Sequence, residues 1–115
     1  MARMLSGKEL KLKASELSAT IRDGVASCYG VVAFAPGSSF KGLIGTHSCS
    51  LEKGGVSLRL GRQRDVRIVV RIILGYRVSA AAVAMTVRQT IEYIVKEKGY
   101  ALKSLNLYID GIRLQ

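Results

Sequence analysis

The stretch Asp65–Gly99 constrains the fold most, because within it an alternating apolar run passes directly into a helical one. Val66, Ile68, Val70, Ile72 and Leu74 hold every even position, while Arg67, Val69, Arg71 and Ile73 hold the odd ones. A period of two lays the even set on one face of a strand over Asp65–Leu74, against a core. Gly75-Tyr76-Arg77 breaks the pattern. Ser79 then stands where a helix needs a cap, its hydroxyl able to accept from a first-turn N–H. Ala80, Val83, Ala84, Val87, Ile91, Ile94 and Val95 recur at helical spacing, with Arg88, Gln89, Glu92 and Lys96 between them. Gly99 suits the helix stop, where a positive φ closes the last carbonyls. A chain built on this unit must lay a helix against a sheet.

The remaining segments read in the same way. Lys8–Lys13 reads as a short strand with Leu10 and Leu12 on one face. Ser15 reads as the cap of a helix from Glu16 to about Cys28, with Leu17, Ile21, Val25 and Cys28 as its apolar stripe and Gly30 as its stop. Val31–Ala35 is a brief strand ended by Pro36-Gly37. Residues 37–54 read as a loop with at most one helical turn, anchored by Phe40, Leu43 and Ile44. Val56, Leu58 and Leu60 alternate as a further strand, and Gly61-Arg62-Gln63-Arg64 is short enough for an antiparallel hairpin into Asp65–Leu74. Leu105, Leu107 and Ile109 form a last strand that bends at Gly111 and runs to Leu114.

The order β-α-β-β-β-α-β predicts an α+β fold, a two-layer sandwich with two amphipathic helices on one face of a mostly antiparallel sheet. The other face is then open and carries Lys11, Lys13, Ser57, Arg59, Arg67, Val69, Arg71, Ile73, Asn106 and Tyr108. At 115 residues the chain reads as one domain over 1–115 with a flexible N-terminus at 1–6. Such a chain buries roughly two-thirds of its unfolded surface.

No apolar run is long enough to span a bilayer, and the N-terminus lacks the apolar region of a signal peptide, so a cytoplasmic protein is expected. Cys28 and Cys49 are too few for a metal knuckle, and in a reducing compartment they are not expected to pair. His47 has no second histidine to complete a metal or nucleophile site, and the acids are too dispersed for an acid–base pair. No catalytic, cofactor or metal residue is assigned, and no enzyme is expected. Gly42-Leu43-Ile44-Gly45 matches a GxxG backbone clamp but lacks the flanking helices, so a plain turn is favoured.

Charge is the other constraint. Eighteen basic and 8 acidic side chains give a net charge of +10, and Arg59–Arg77 holds six arginines against one aspartate. Such a surface attracts polyanions or an acidic partner. Arg59, Arg62, Arg64, Arg67, Val69, Arg71, Ile73 and Tyr108 form the candidate interaction surface. Val69 and Ile73 among the arginines favour a protein interface. The alternative is a small basic RNA-binding protein that uses the same arginines, with Tyr108 as a stacking platform.

Several stretches together resemble the alkaline shock protein family of envelope stress proteins from Gram-positive bacteria. They are Gly7-Lys8, the helix behind Ser15, Cys28-Tyr29-Gly30-Val31-Val32, Ile73-Leu74-Gly75-Tyr76 and the closing Leu105-Asn106-Leu107-Tyr108-Ile109-Asp110-Gly111-Ile112-Arg113. The Cys-Tyr-Gly junction and the ending look most like the short, YloU-like branch. The resemblance implies a non-catalytic protein that self-associates as a homo-oligomer, or docks a partner at the inner face of the membrane. The implied partners are a membrane-anchored family member or a fatty-acid or dihydroxyacetone kinase-like protein. The family's members are more often acidic or near neutral than this chain, and their middle segment is longer.

Overall fold

The structure, a computed structural model, describes residues 5–36 and 48–113. Its elements are α1 (Gly7–Ala26), β1 (Val31–Phe34), β2 (Ser48–Lys53), β3 (Val56–Gly61), β4 (Asp65–Gly75), α2 (Ala80–Glu97) and β5 (Ala101–Arg113). This is the expected α+β class, with two helices on one side of a five-stranded, mostly antiparallel sheet.

The first element differs from expectation: Lys8–Lys13 is the opening of α1, not a strand. Ser6 and Glu9 form a capping box. The Ser6 hydroxyl accepts from the Glu9 N–H and the Glu9 carboxylate accepts from the Ser6 N–H, each at 3.2 Å. From there Leu10, Ala14, Leu17, Ser18, Ile21 and Val25 turn inward at helical spacing, and Leu12 is left 60% exposed. The alternation of Leu10 and Leu12 spans too few residues to compete with that longer period. Ser15 is therefore an exposed mid-helix residue rather than a cap. Leu5, expected in a flexible terminus, is buried and donates its N–H to the Arg62 carbonyl at 2.8 Å.

The second difference is β2, a full strand where the latter part of a loop was expected. Gly54 and Gly55, at φ 58° and 86°, make the two-residue link between β2 and β3, with Lys53 opposite Val56. Two successive positive φ values give the turn whose twist matches paired strands. Phe40, His47 and Gly42-Leu43-Ile44-Gly45 lie outside the described residues.

Strand β4 is the centre of the sheet. One edge pairs along its whole length with β5, in parallel, after the α2 crossover. The other edge is shared end to end by β3, opposite Val66–Val70, and β1, opposite Ile72–Leu74. The two meet at Arg71, whose N–H donates to Gly55 and whose carbonyl accepts from Ala35, both at 2.9 Å. Strand β5 begins at Ala101, earlier than expected, and carries bulges after Leu102 and at Ile109–Gly111, the latter being the expected bend.

The core lies between helices and sheet. Val66, Ile68, Val70, Ile72 and Leu74 of β4, Val56, Leu58 and Leu60 of β3, the α1 stripe, and Val83, Val87, Ile91 and Val95 of α2 form one buried cluster. Each fully buried aliphatic side chain contributes about 1.5–3 kcal/mol. The helices touch at Gly24, next to Ile94 and Thr90, and Cys28 is buried there with its sulfur 3.5 Å from the Thr90 hydroxyl.

Candidate interaction face

The strand pleat places the odd residues of β4 on the face away from the helices, and the pairing register brings their neighbours beside them. Arg67 lies directly opposite Arg59 of β3 on one side and Ser104 of β5 on the other. Val69 lies between Ser57 and Asn106, and Arg71 lies beside Tyr108. Ile73 lies between Ala33 of β1 and Gly111. Arg59, Arg67, Arg71, Ile73 and Tyr108 of the expected surface are thus on one face.

Arg71 is the most engaged of them. Its guanidinium lies 4.5 Å from the Tyr108 ring centroid and 3.3 Å from the Asp110 carboxylate, in a half-buried ion pair. A guanidinium over an aromatic face gains from the ring quadrupole, more so when partly desolvated. Tyr108 remains 44% exposed. Arg59 donates from Nε to the Ser50 hydroxyl at 3.1 Å.

Three expectations about this face need correction. Val69 is only 4% exposed and Ser57 1%, so Val69 is packed and is not an apolar contact offered to a partner. Lys11 and Lys13 belong to α1 and leave the face altogether. Arg62 and Arg64 sit in the β3–β4 turn, as the hairpin reading required, but at the end of the sheet rather than on its face. Arg64, at φ 65°, directs its guanidinium to within 5.8 Å of the Tyr100 ring centroid.

The face also carries acids that the sequence reading left out. Glu52 is paired with Ser57, so it shares the face with Arg59. Asp65 has the parity of Arg67, and its carboxylate lies over Gly61. Asp110, the extra residue of the second β5 bulge, reaches Arg71. The arginines of the face therefore alternate with carboxylates, and the surface is of mixed charge. The alternation of β5 placed Asp110 with Tyr108, and the register sets both beside Arg71.

Among the described residues, no group of three or more His, Cys, Asp or Glu side chains is placed to hold a metal ion. No helix in the described residues is long and apolar enough to cross a membrane.

Residues 7–114 match the Asp23 family, described as having a cell envelope-related function. The chain belongs to this alkaline shock protein family. No match was found among curated proteins or among solved structures. The match runs from the first residue of α1 past the end of β5, so all seven elements lie within the matched span.

Proposed function

We propose that this alkaline shock family protein is a non-catalytic docking module of the cell envelope. The arginine-bearing sheet face receives a protein partner, which holds it at the inner side of the membrane. Arg59 and Arg67 take carboxylates of the partner, and Tyr108 and Ile73 supply apolar contact further along β4.

The observation that carries this reading is the Arg59–Arg67 pair. Like charges directly opposite each other across two strands weaken the sheet, so folding alone disfavours them. Arg59 leans to Ser50 on the β2 side, so the exposed Arg67 is the guanidinium offered to a partner carboxylate, in charge-assisted hydrogen bonds. The acids on the same face favour a protein over a nucleic acid. Glu52, Asp65 and Asp110 would oppose a phosphate backbone, whereas mixed charge around an exposed tyrosine is ordinary at protein interfaces.

Substitution of Arg67 by Glu separates binding from folding. The new carboxylate faces Arg59 as an opposite-charge pair, so stability should be unchanged or raised by about 0.2–1 kcal/mol. Partner capture should fall to background. The measurement is a pull-down at moderate salt, with and without nuclease, alongside a thermal melt. Normal capture by Arg67→Glu would mean that the face is not the docking surface. Recovery of RNA alone, lost on nuclease treatment, would move the assignment to nucleic acid.

A further inference from the structure

Three basic side chains converge where the β3–β4 turn meets the two helices. A cleft of about 160 Å³ opens there between Lys13, Glu16 and Thr20 of α1, Arg64 of the turn, Lys98 at the end of α2, and Tyr100 leading into β5. Three separate elements thus aim one cation each at the same space. Among the described residues none of the three cations is in an ion pair. Among the described residues Glu16 is the only acid lining the cleft, which then carries two positive charges in excess.

Arg64 is held in place by its backbone. Its N–H donates to Gly61 at 3.1 Å and its carbonyl accepts from Ala101 at 2.8 Å, while φ is 65°. A left-handed conformation is unusual for an arginine. Its Nε is buried and has no hydrogen-bond partner. The Tyr100 hydroxyl is a second donor. Burial raises its pKa, and the nearby Glu16 acts in the same direction against the lowering by Arg64, so it keeps its proton at neutral pH.

We propose that this cleft binds a phosphomonoester group, with Lys13, Arg64, Lys98 and the Tyr100 hydroxyl on the phosphoryl oxygens. A phosphomonoester carries a charge of about −1.5 to −2 at neutral pH, which matches the local excess, whereas a single carboxylate does not. The guanidinium fork pairs with two of its oxygens at once. The Thr20 hydroxyl already donates to the Glu16 carbonyl at 3.0 Å. Thr20 and the Glu16 carboxylate are therefore acceptors, suited to hydroxyl groups on the organic part of the ligand. The cleft is smaller than the roughly 300–1,000 Å³ of sites that enclose drug-sized ligands, so it fits a headgroup-sized fragment rather than a whole nucleotide.

The test uses the full chain and two phosphate sources. Inorganic phosphate is titrated by calorimetry. Phosphatidylcholine vesicles with and without phosphatidic acid are assayed by co-sedimentation. Arg64→Asn with Lys98→Met is the site variant, asparagine being the side chain that best tolerates a positive φ. Lys103→Met with Arg113→Met removes the same charge from exposed positions of β5. The expected result is saturable binding in at least one arm, weakened about tenfold or more in the site variant and little changed in the control. Binding of the soluble ion identifies a metabolite site; binding only of phosphatidic acid vesicles identifies a lipid headgroup. Equal weakening in both variants would reduce the effect to bulk charge and overturn the proposal, as would the lack of saturable binding in both arms. Lys98→Met alone, at an exposed position, decides the matter if the double variant does not fold. The cleft uses none of the open-face residues, so its failure would leave the docking reading untouched.

Discussion

At the scale of single residues, Gly55 shows how a position without a side chain supports the sheet. It takes φ 86° at the β2–β3 turn, and its carbonyl accepts from Arg71, where β1 and β3 meet along β4. A Cβ there would lie 2.8 Å from the Ala35 carbonyl oxygen and 3.0 Å from that of Arg71. Both are backbone atoms, which cannot swing away. Gly99 has a similar φ of 84° but nothing within 4 Å of the added carbon. Gly99→Ala should therefore cost about 1–2 kcal/mol for backbone conformation alone. Gly55→Ala should cost at least 1–2 kcal/mol more, since steric overlap adds to strain. Urea melts of the two variants measure the difference, and equal losses would mean that the strands at Arg71 part easily.

At the scale of elements, α1 is defined by how it starts. The reciprocal Ser6–Glu9 bonds satisfy first-turn donors, and they lie just before the buried stripe that begins at Leu10. Ser6→Ala should destabilise the protein by about 1 kcal/mol. Hydrogen exchange would show the loss as faster opening of the first turn, with the helix beyond Leu17 protected as before. Uniform loss of protection along α1 would contradict a capping role. The same element shows why part of the fold was hard to read. The capping box and the Gly54-Gly55 turn are both local signals in the sequence, and neither entered the reading of these segments. A six-residue alternation at Lys8–Lys13 competed with the capping box, and a Gly- and Ser-rich composition before residue 54 hid β2. Strand β4 and helix α2 were legible because their apolar periods run unbroken over many residues, where chance agreement is small.

At the scale of the whole molecule, charge is sorted by the tertiary structure. The arginines of β3 and β4 share a face with three carboxylates, while Lys13, Arg64 and Lys98 converge at the end of the sheet. Tyr100 reports on that second region. Its folded pKa lies above the ordinary 10.0, mainly because burial disfavours the phenolate. The native state then holds this proton more tightly than the unfolded state. The stabilising contribution is complete below pH 10 and is lost as pH rises through the folded value. Thermal melts from pH 8 upward should fall in the alkaline range, and Tyr100→Phe should flatten that fall. An identical alkaline profile in the variant would place the loss elsewhere in the chain.

The sequence by itself determined the local choices: which faces of β3, β4, α1 from Leu17 onward and α2 are apolar, where α2 starts and ends, and that two helices must cover one side of a sheet. These follow from side-chain period and cap chemistry, which act over a few residues. Only the tertiary structure decided that β1 and β3 share one edge of β4, that Val69 is packed, and that Asp110 meets Arg71. It also brought Lys13, Arg64 and Lys98 around one cleft. Those outcomes depend on register and on the crossover through α2, which join residues far apart in the chain and leave no periodic trace in it.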